Sequence, residues 1–341
     1  MSMVIGYIPS AEDINASESL GKRLKGQSDE ETLTNILEWQ HTNIRFWGLR
    51  GNQVLQIAFI SLIFSLVFII TISLRWLFYM SWKGIILNLY LPVLILAVLA
   101  LAMVYLYLEE ELRKDFSLKC GLESLVVPFY AFKPNLNFEQ ISRYKFGVCR
   151  DYAKLTACLL LNSFKGQDPE IYFVPARDHV ATGIKLENNI HMLDQRLPIF
   201  TIRGWIAFWK PSKRVLATGK KLYKGKLYSF DEREIAVWLK SDDEFTKRSS
   251  ADKEKMALML DKKLQSLMKF GGQKVKEYDV LPLKGWAKYY ENDHVVDYSI
   301  ARLLEHMIYN KVYENGINSK LTGIEVALDG VEDLKAILYT M

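Results

Sequence analysis

A glycine and a cysteine stand directly before an apolar helical pattern in the stretch KFGVCRDYA, residues 145–153. A thiol attacks carbonyl carbon well only as the thiolate, and the positive N-terminal end of a helix stabilises that anion. Gly147 lets the backbone turn tightly and leaves one side of the sulfur open. The stretch therefore makes Cys149 a candidate nucleophile, with a small buried core residue as the alternative.

A nucleophilic thiol also needs a base to take its proton and a third group to orient that base. His179 and Asp194 are the candidates, because they lie on two neighbouring predicted strands. If Asn188 and Asn189 form a two-residue turn, Asp194 faces Gly183, on the same sheet face as His179 but about 13 Å away along the strand. A bulge or a wider loop would have to close that gap.

The other cysteines and histidines have simpler interpretations. Cys158 stands beside two leucines and is predicted to be a core residue, and Cys120 is predicted to be structural. His191 precedes Asp194 by three positions, which on a strand points the two side chains to opposite faces. No CxxC pair is present, so we predict no metal and no cofactor.

The elements that must position these residues follow one another between residues 148 and 200. Apolar residues at helical spacing predict a helix over 148–161, with loop residues after it. Extended stretches over 171–176, 179–186 and 190–200 predict strands, the last two paired as an antiparallel hairpin. We therefore assign a catalytic core of the α+β class to residues 109–204.

The region from 205 to 341 contains further elements but no motif that we connect to chemistry. The sequence predicts strands within 215–230, helices over 253–270 and 300–313, and a final strand at 323–329. This C-terminal α/β region either completes the core, covers the active-site cleft or binds a partner.

The N-terminal region divides into a tail and a helix. Residues 1–27 lack hydrophobic periodicity, which predicts a flexible tail. Ser28 and Glu31 form a capping box for a helix that we assign to residues 28–52.

Two uncharged apolar runs, at 54–74 and 84–108, are each long enough to cross about 30 Å of hydrocarbon. They predict a two-helix transmembrane hairpin over 53–108, with the lipid bilayer as a partner. Positive residues are more numerous on the outer flanks than in the connecting loop, so the soluble domain is predicted to be cytoplasmic. The opposite orientation would place it outside the cell, where it could cleave cell-wall isopeptides.

The charge and composition of the chain limit which other partners the sequence predicts. The net charge of +5 comes from 44 basic and 39 acidic residues, and it identifies no nucleic-acid surface. The apolar runs carry no GxxxG pattern, and the sequence does not predict an oligomeric state.

The segments GVCRDYAKLTACLL, DHVATGIKL and HMLDQRLPI, taken together, resemble the transglutaminase-like superfamily of papain-like cysteine enzymes, and most closely its archaeal membrane-associated members. The resemblance covers roughly residues 138–200 and implies an antiparallel sheet packed on a catalytic helix. It implies Cys149 as nucleophile, His179 as general base and acid, and Asp194 as the group that orients the imidazole.

The sequence departs from this family at two positions. Ala181 stands where the family often has an aromatic residue, two positions after its histidine, and Arg143 stands where papain-like enzymes carry the glutamine of the oxyanion hole. The Cys149 backbone N–H and Tyr144 are the alternative oxyanion donors.

The function that this resemblance implies is that of a membrane-anchored cysteine hydrolase, a peptidase or amidase, or of an acyltransferase. The reaction would proceed on a peptide or protein substrate through an acyl-thioester. The alternative is a catalytically inactive binding or scaffold module at the membrane.

Overall fold

The computed structural model describes residues 7–47, 67, 70–71, 130, 133, 135–176, 179–208, 219–230, 250–268, 276–283, 293–314, 321–329 and 333–340. The chain divides into two compact units, one formed by Met1–Asn43 with Cys149–Met341 and the other by Ile44–Val148. The described helices are α1 (Ala11–Ala16), α2 (Glu18–Leu24), α3 (Asp29–Asn43), α4 (Phe138–Tyr144), α5 (Cys149–Ser163), α6 (Ile202–Phe208), α7 (Ser250–Met268) and α8 (His294–Glu314). The described strands are β1 (Arg45–Phe46), β2 (Phe146–Gly147), β3 (Ile171–Ala176), β4 (His179–Leu186), β5 (Asn189–Leu193), β6 (Phe200–Thr201), β7 (Gly219–Tyr223), β8 (Lys226–Phe230), β9 (Lys276–Leu283), β10 (Leu321–Asp329) and β11 (Asp333–Thr340).

A six-stranded antiparallel sheet in the order β6-β5-β4-β3-β7-β8 forms the centre of the larger unit. Its central strands are rich in β-branched and aromatic residues, which suit a pleated surface buried on both faces. One apolar cluster on this sheet includes Val174, Met192 and Trp205, each at most 1% exposed. The predicted α+β class with an antiparallel sheet is therefore confirmed.

Helix α5 is the buried helix of this unit. Twelve of its fifteen residues are buried, and among them are the polar residues Asp151, Lys154 and Asn162. The Thr156 hydroxyl of this helix donates to the Tyr152 carbonyl at 2.8 Å and accepts from the Gln40 amide at 2.7 Å. Thr182 on β4 donates to the Ala153 carbonyl at 2.8 Å, which ties the helix to the sheet.

The N-terminal residues that we expected to be a flexible tail contain α1 and α2, and both helices pack on α5. Ser10 and Asp13 form a reciprocal capping box that starts α1. The Asn162 amide donates to the Ile14 carbonyl at 2.7 Å, and the Ser163 hydroxyl donates to a backbone carbonyl of α2 at 2.9 Å. Single polar residues hold these two helices on α5, and a search for hydrophobic periodicity does not detect them.

Helix α3 follows the predicted capping pattern and then ends earlier than expected. It begins one residue after Ser28, whose hydroxyl accepts from the Glu31 N–H at 3.4 Å. It buries Leu33, Ile36 and Leu37, and it ends at Asn43 rather than continuing to residue 52.

The C-terminal residues form a second sheet and two long helices. Strands β10, β11 and β9 pair antiparallel in that order, and α7 packs on β10 and on α8. Helix α8 also packs on α3, where the Arg302 guanidinium makes two hydrogen bonds of 3.1 Å to Glu38. The C-terminal region is thus joined to the elements around α5.

The smaller unit contains α4 and a short parallel pair of strands. Arg45 pairs with Phe146 in this β1–β2 ladder, and the Trp47 N–H continues it by donating to the Gly147 carbonyl at 3.0 Å. The rings of Trp47 and Phe146 meet edge to face with centroids 4.9 Å apart. An Asn137–Gln140 capping box starts α4.

The structure contradicts the transmembrane hairpin in the predicted fold class. In the part of the chain that is described, no helix is both long and apolar enough to cross a bilayer. The longest of these helices, α8, has 21 residues but carries Asp297, Arg302 and Glu305. The runs 54–74 and 84–108 lie outside the described residues, apart from the helical, exposed positions 67, 70 and 71. The cytoplasmic placement of the soluble domain rested on this hairpin and stays a prediction.

Candidate active site

Cys149 is the first residue of α5, and its side chain is partly exposed. The first backbone N–H groups of a helix have no acceptor within the helix, and they carry the positive end of its dipole. The remaining length of α5 is buried, so the position of this end is fixed by the core. The sulfur therefore lies where a negative charge is stabilised, as the sequence predicts.

The β4–β5 hairpin brings His179 and Asp194 closer than the predicted register allowed. Leu186 pairs with Asn189, so the turn residues are Glu187, with φ of 51°, and Asn188 rather than the two asparagines. This shift by one residue moves every pair by two positions along β4. Extension of the ladder by one pair sets Asp194 opposite Ala181, two residues or about 7 Å along the strand from His179.

His179 and Asp194 are hydrogen-bonded. The distance from His179 Nε2 to Asp194 Oδ1 is 2.7 Å, and the side chains are 11% and 15% exposed. A second hydrogen bond links the His179 ring to the Cys149 side chain. Because Nε2 contacts Asp194, the ring nitrogen that serves Cys149 is Nδ1. The structure therefore brings together all three residues that the sequence singled out, in the order Cys149, His179, Asp194.

The pKa of His179 is raised to about 9. Burial of the ring by itself lowers the pKa, but hydrogen bonds to Asp194 and Cys149, together with the negative charges of these groups, raise it further than burial lowers it. The imidazole consequently carries a positive charge at neutral pH. This positive charge lies beside the Cys149 side chain.

Trp205 is a site residue that sequence reasoning missed. Its indole Nε1–H donates to Asp194 Oδ2 at 2.9 Å, and its ring stacks on His179 with centroids 6.3 Å apart and planes inclined by 28°. It is 1% exposed and lies on α6, which follows the short strand β6. The sequence around Trp205 carries no motif that links it to His179, so only the fold reveals this contact.

The two cysteines in the described part of the chain differ in environment. Cys158 is fully buried in α5, and burial, with the nearby Asp13 carboxylate, raises the pKa of its thiol. A thiol held in its neutral form is a poor nucleophile. Cys158 is therefore a core residue and an internal reference for Cys149; Cys120 lies outside the described residues.

The two predicted oxyanion donors, Tyr144 and the Cys149 backbone N–H, belong to different compact units of the chain. Tyr144 lies on α4, where its ring packs on Tyr130 at 5.1 Å, and burial, with a hydrogen bond to Tyr130, raises its pKa. Arg143 stacks over the Tyr144 ring at 5.7 Å. The Cys149 backbone N–H stays the predicted donor.

His191 and Asp194 have different partners, as expected for an offset of three on a strand. The distance from His191 Nε2 to Asp293 Oδ1 is 2.9 Å, and His191 is 1% exposed. Over the described ranges, no group of three or more His, Cys, Asp or Glu side chains is arranged to hold a metal ion.

The chain belongs to the transglutaminase-like domain family DUF553, whose model matches residues 15–228, more than half of the chain. This family assigns the α5–sheet core to the fold of papain-like cysteine hydrolases and transferases. The chain is also similar to the UPF0252 protein MJECL39 of Methanocaldococcus jannaschii, with 28% identity over 335 residues, 93% of this chain and 91% of that protein. No solved structure matches the chain. Neither match identifies a membrane-associated branch, so that finer assignment stays a prediction.

Proposed function

We propose that this protein is a cysteine hydrolase that cleaves amide bonds in peptides or proteins. In this proposal Cys149 is the nucleophile, His179 is the general acid and base, and Asp194 orients the imidazole. The observation that carries the proposal is the hydrogen-bonded series from Cys149 through His179 to Asp194. A core thiol requires no such series, whereas a nucleophilic thiol requires each member of it.

The first half of the reaction forms a thioester. The Cys149 thiolate attacks the amide carbonyl carbon, and the carbonyl oxygen becomes an oxyanion near the N-terminal end of α5. The C–N bond then breaks as the His179 Nδ1–H gives its proton to the departing nitrogen. The products of this step are a free amine, a neutral imidazole and an acyl-thioester on Cys149.

The second half releases the acyl group to water. Neutral His179 takes a proton from a water molecule as its oxygen attacks the thioester carbon. Collapse of the intermediate expels the thiolate, frees the carboxylic acid and restores the thiolate–imidazolium pair. Solvent reaches both His179 and Asp194, which are 11% and 15% exposed, and this access favours hydrolysis over transfer to a second amine.

Iodoacetamide labelling tests the reactive thiol. Near pH 6, Cys149 should be alkylated at least about tenfold faster than Cys158, as followed by mass spectrometry of the digested protein. His179→Gln should slow the alkylation of Cys149 by about tenfold, because it removes the positive charge beside the sulfur. Cys158 in the same molecule controls for reagent and unfolding. Equal rates of Cys149 labelling in the folded wild-type chain and in folded His179→Gln would refute the proposal.

Turnover separates a hydrolase from a binding module that has kept the fold. A mixture of peptides is incubated with the wild-type chain and with Cys149→Ser, and new peptide termini are identified by mass spectrometry. A hydrolase produces Cys149-dependent termini, and acid quenching traps an acyl adduct on Cys149. Fast alkylation without either product would instead indicate a module that binds peptides but does not cleave them.

A further inference from the structure

Helix α8 begins with a buried carboxylate that also bonds to strand β5. Asp293, the residue before α8, accepts from the backbone N–H groups of Val295 at 2.9 Å and Val296 at 3.3 Å, which caps the helix. The same carboxylate contacts His191 Nε2 at 2.9 Å and accepts from the Asn189 amide at 2.8 Å. One side chain thus joins the start of α8 to two residues of β5.

A second link from α8 reaches the other side of the same loop. Ser299 is fully buried, and its hydroxyl accepts from the Ile199 backbone N–H at 3.0 Å while it donates to the Val296 carbonyl at 2.8 Å. Ile199 immediately precedes β6. The segment between these two links contains Asp194 and Gln195, whose φ is 56°. Helix α8 therefore holds the chain three residues before Asp194 and five residues after it.

We propose that α8 is a positioning element for the candidate active site and that Asp293 and Ser299 are its positioning residues. They act through the β5–β6 connection, whose two ends they hold, and so they direct the Asp194 carboxylate towards His179. This inference rests on the proposed function of Cys149, His179 and Asp194. It gives a role in the reaction to residues 293–299, which lie beyond the part of the chain that the family model matches.

The burial of these links supports a positional role. Asp293 and His191 are 8% and 1% exposed, so water hardly reaches either side chain. If one of them were removed, the other would stay buried without that hydrogen bond and without water to replace it, which is unfavourable. Burial alone raises the pKa of Asp293, but hydrogen bonds from His191, Asn189 and the Val296 N–H lower it. The carboxylate is therefore charged and directional. An apolar contact would bury the same area but would not fix which residue of β5 meets the start of α8.

Three variants test the proposal by the rate and pH profile of Cys149 alkylation. Asp293→Asn keeps a side chain that can cap α8 and weakens the link to His191, and Ser299→Ala removes the link to Ile199. Glu38→Gln is the matched control, because it weakens the Arg302 contact that joins the same helix to α3 instead of to β5. Near-UV circular dichroism and the unfolding midpoint establish that each variant is folded.

We expect Asp293→Asn and Ser299→Ala each to slow Cys149 alkylation at pH 6 by about tenfold or more, since small displacements of catalytic groups have effects of that size. The alkaline part of the pH profile of the Cys149 alkylation rate should move to lower pH, in the same direction as for Asp194→Asn. Glu38→Gln should lower the midpoint yet keep the alkylation rate within about twofold of wild type. If Asp293→Asn does not fold, Ser299→Ala decides the matter.

Two results distinguish failure of this inference from failure of the proposed function. If wild-type Cys149 reacts rapidly and the folded α8 variants keep the wild-type profile, α8 has no positioning role and the inference is wrong. If Cys149 reacts no faster in the wild-type chain than in folded His179→Gln, the proposed function fails and the inference fails with it.

Discussion

Trp205 donates its indole N–H to the Asp194 oxygen that does not contact His179, at 2.9 Å, and covers the His179 ring with its own. Both oxygens of the carboxylate are thereby bonded, one to each ring. A carboxylate held at two points cannot rotate away from the imidazole without breaking a hydrogen bond. Trp205 therefore restricts both members of the His179–Asp194 pair.

Trp205→Phe should lower the turnover number by about tenfold, because it keeps an aromatic ring but removes a hydrogen bond to a charged group, which contributes about 1.5–3 kcal/mol. The Michaelis constant should change little, since the indole is 1% exposed and its N–H is bonded to Asp194. Phe208→Leu, at a 47% exposed position of the same helix, is the control for disturbance of α6. Equal losses in the two variants would show that the indole hydrogen bond has no special role.

Asp194→Asn should lower the pKa of His179 from about 9 towards its ordinary value near 6.5. The substitution removes the negative charge that stabilises the imidazolium, and the burial that opposes it remains. NMR titration of the histidine ring protons measures the change, with His179→Gln identifying the resonance. A His179 pKa that stays near 9 in the variant would mean that Asp194 does not control it.

His179 should make stability decrease at alkaline pH. Its pKa is raised to about 9 in the folded chain and is near 6.5 when unfolded, so the folded state binds the proton more tightly. This stabilisation is fully present below about pH 6.5 and is lost as the pH rises through about 9, with a size of up to about 3 kcal/mol. Urea unfolding at pH 6 and pH 10 should show a larger loss for wild type than for His179→Gln. Parallel losses would contradict the prediction.

Gly21→Ala should destabilise the chain by about 1–3 kcal/mol. A Cβ at Gly21 would lie 2.5 Å from Asn162 Cβ and 3.3 Å from the Leu159 carbonyl oxygen, so α2 could not keep its distance from α5. Ser19→Ala, at an exposed position of the same helix, controls for the added alanine and should be close to neutral. The free energy of unfolding is measured for both variants. If Gly21→Ala leaves it unchanged, α2 lies farther from α5 than described.

The sequence predicts the strands around the site well because their patterns are local. The bounds 171–176 and 179–186 agree with β3 and β4, and the α5 helix differs by two residues at most. The predicted turn lies one residue too far along the chain, because Asn188 and Asn189 have a stronger turn propensity than Glu187. In the structure Glu187 nevertheless adopts a positive φ and is a turn residue. That one residue decides whether Asp194 can reach His179.

Other features depend on contacts between residues far apart in sequence, which one sequence does not display. Trp205 and Asp293 belong to the site region through partners 11 and 102 residues away. The sequence pattern does not predict strands β9 and β11, because charged residues interrupt their apolar pattern. The apolar runs at 54–74 and 84–108 led to the transmembrane prediction, which the described helices contradict.

The β1–β2 ladder brings Phe46 beside Gly147, although a hundred positions separate them along the chain. When two points of a chain are held together, the entropic cost of closing the loop between them depends only weakly on the loop length. Closing a loop twice as long costs only about 0.6 kcal/mol more. The free energy of holding the ladder therefore depends only weakly on how many residues lie between its two strands, and Cys149 lies two residues downstream of the second strand.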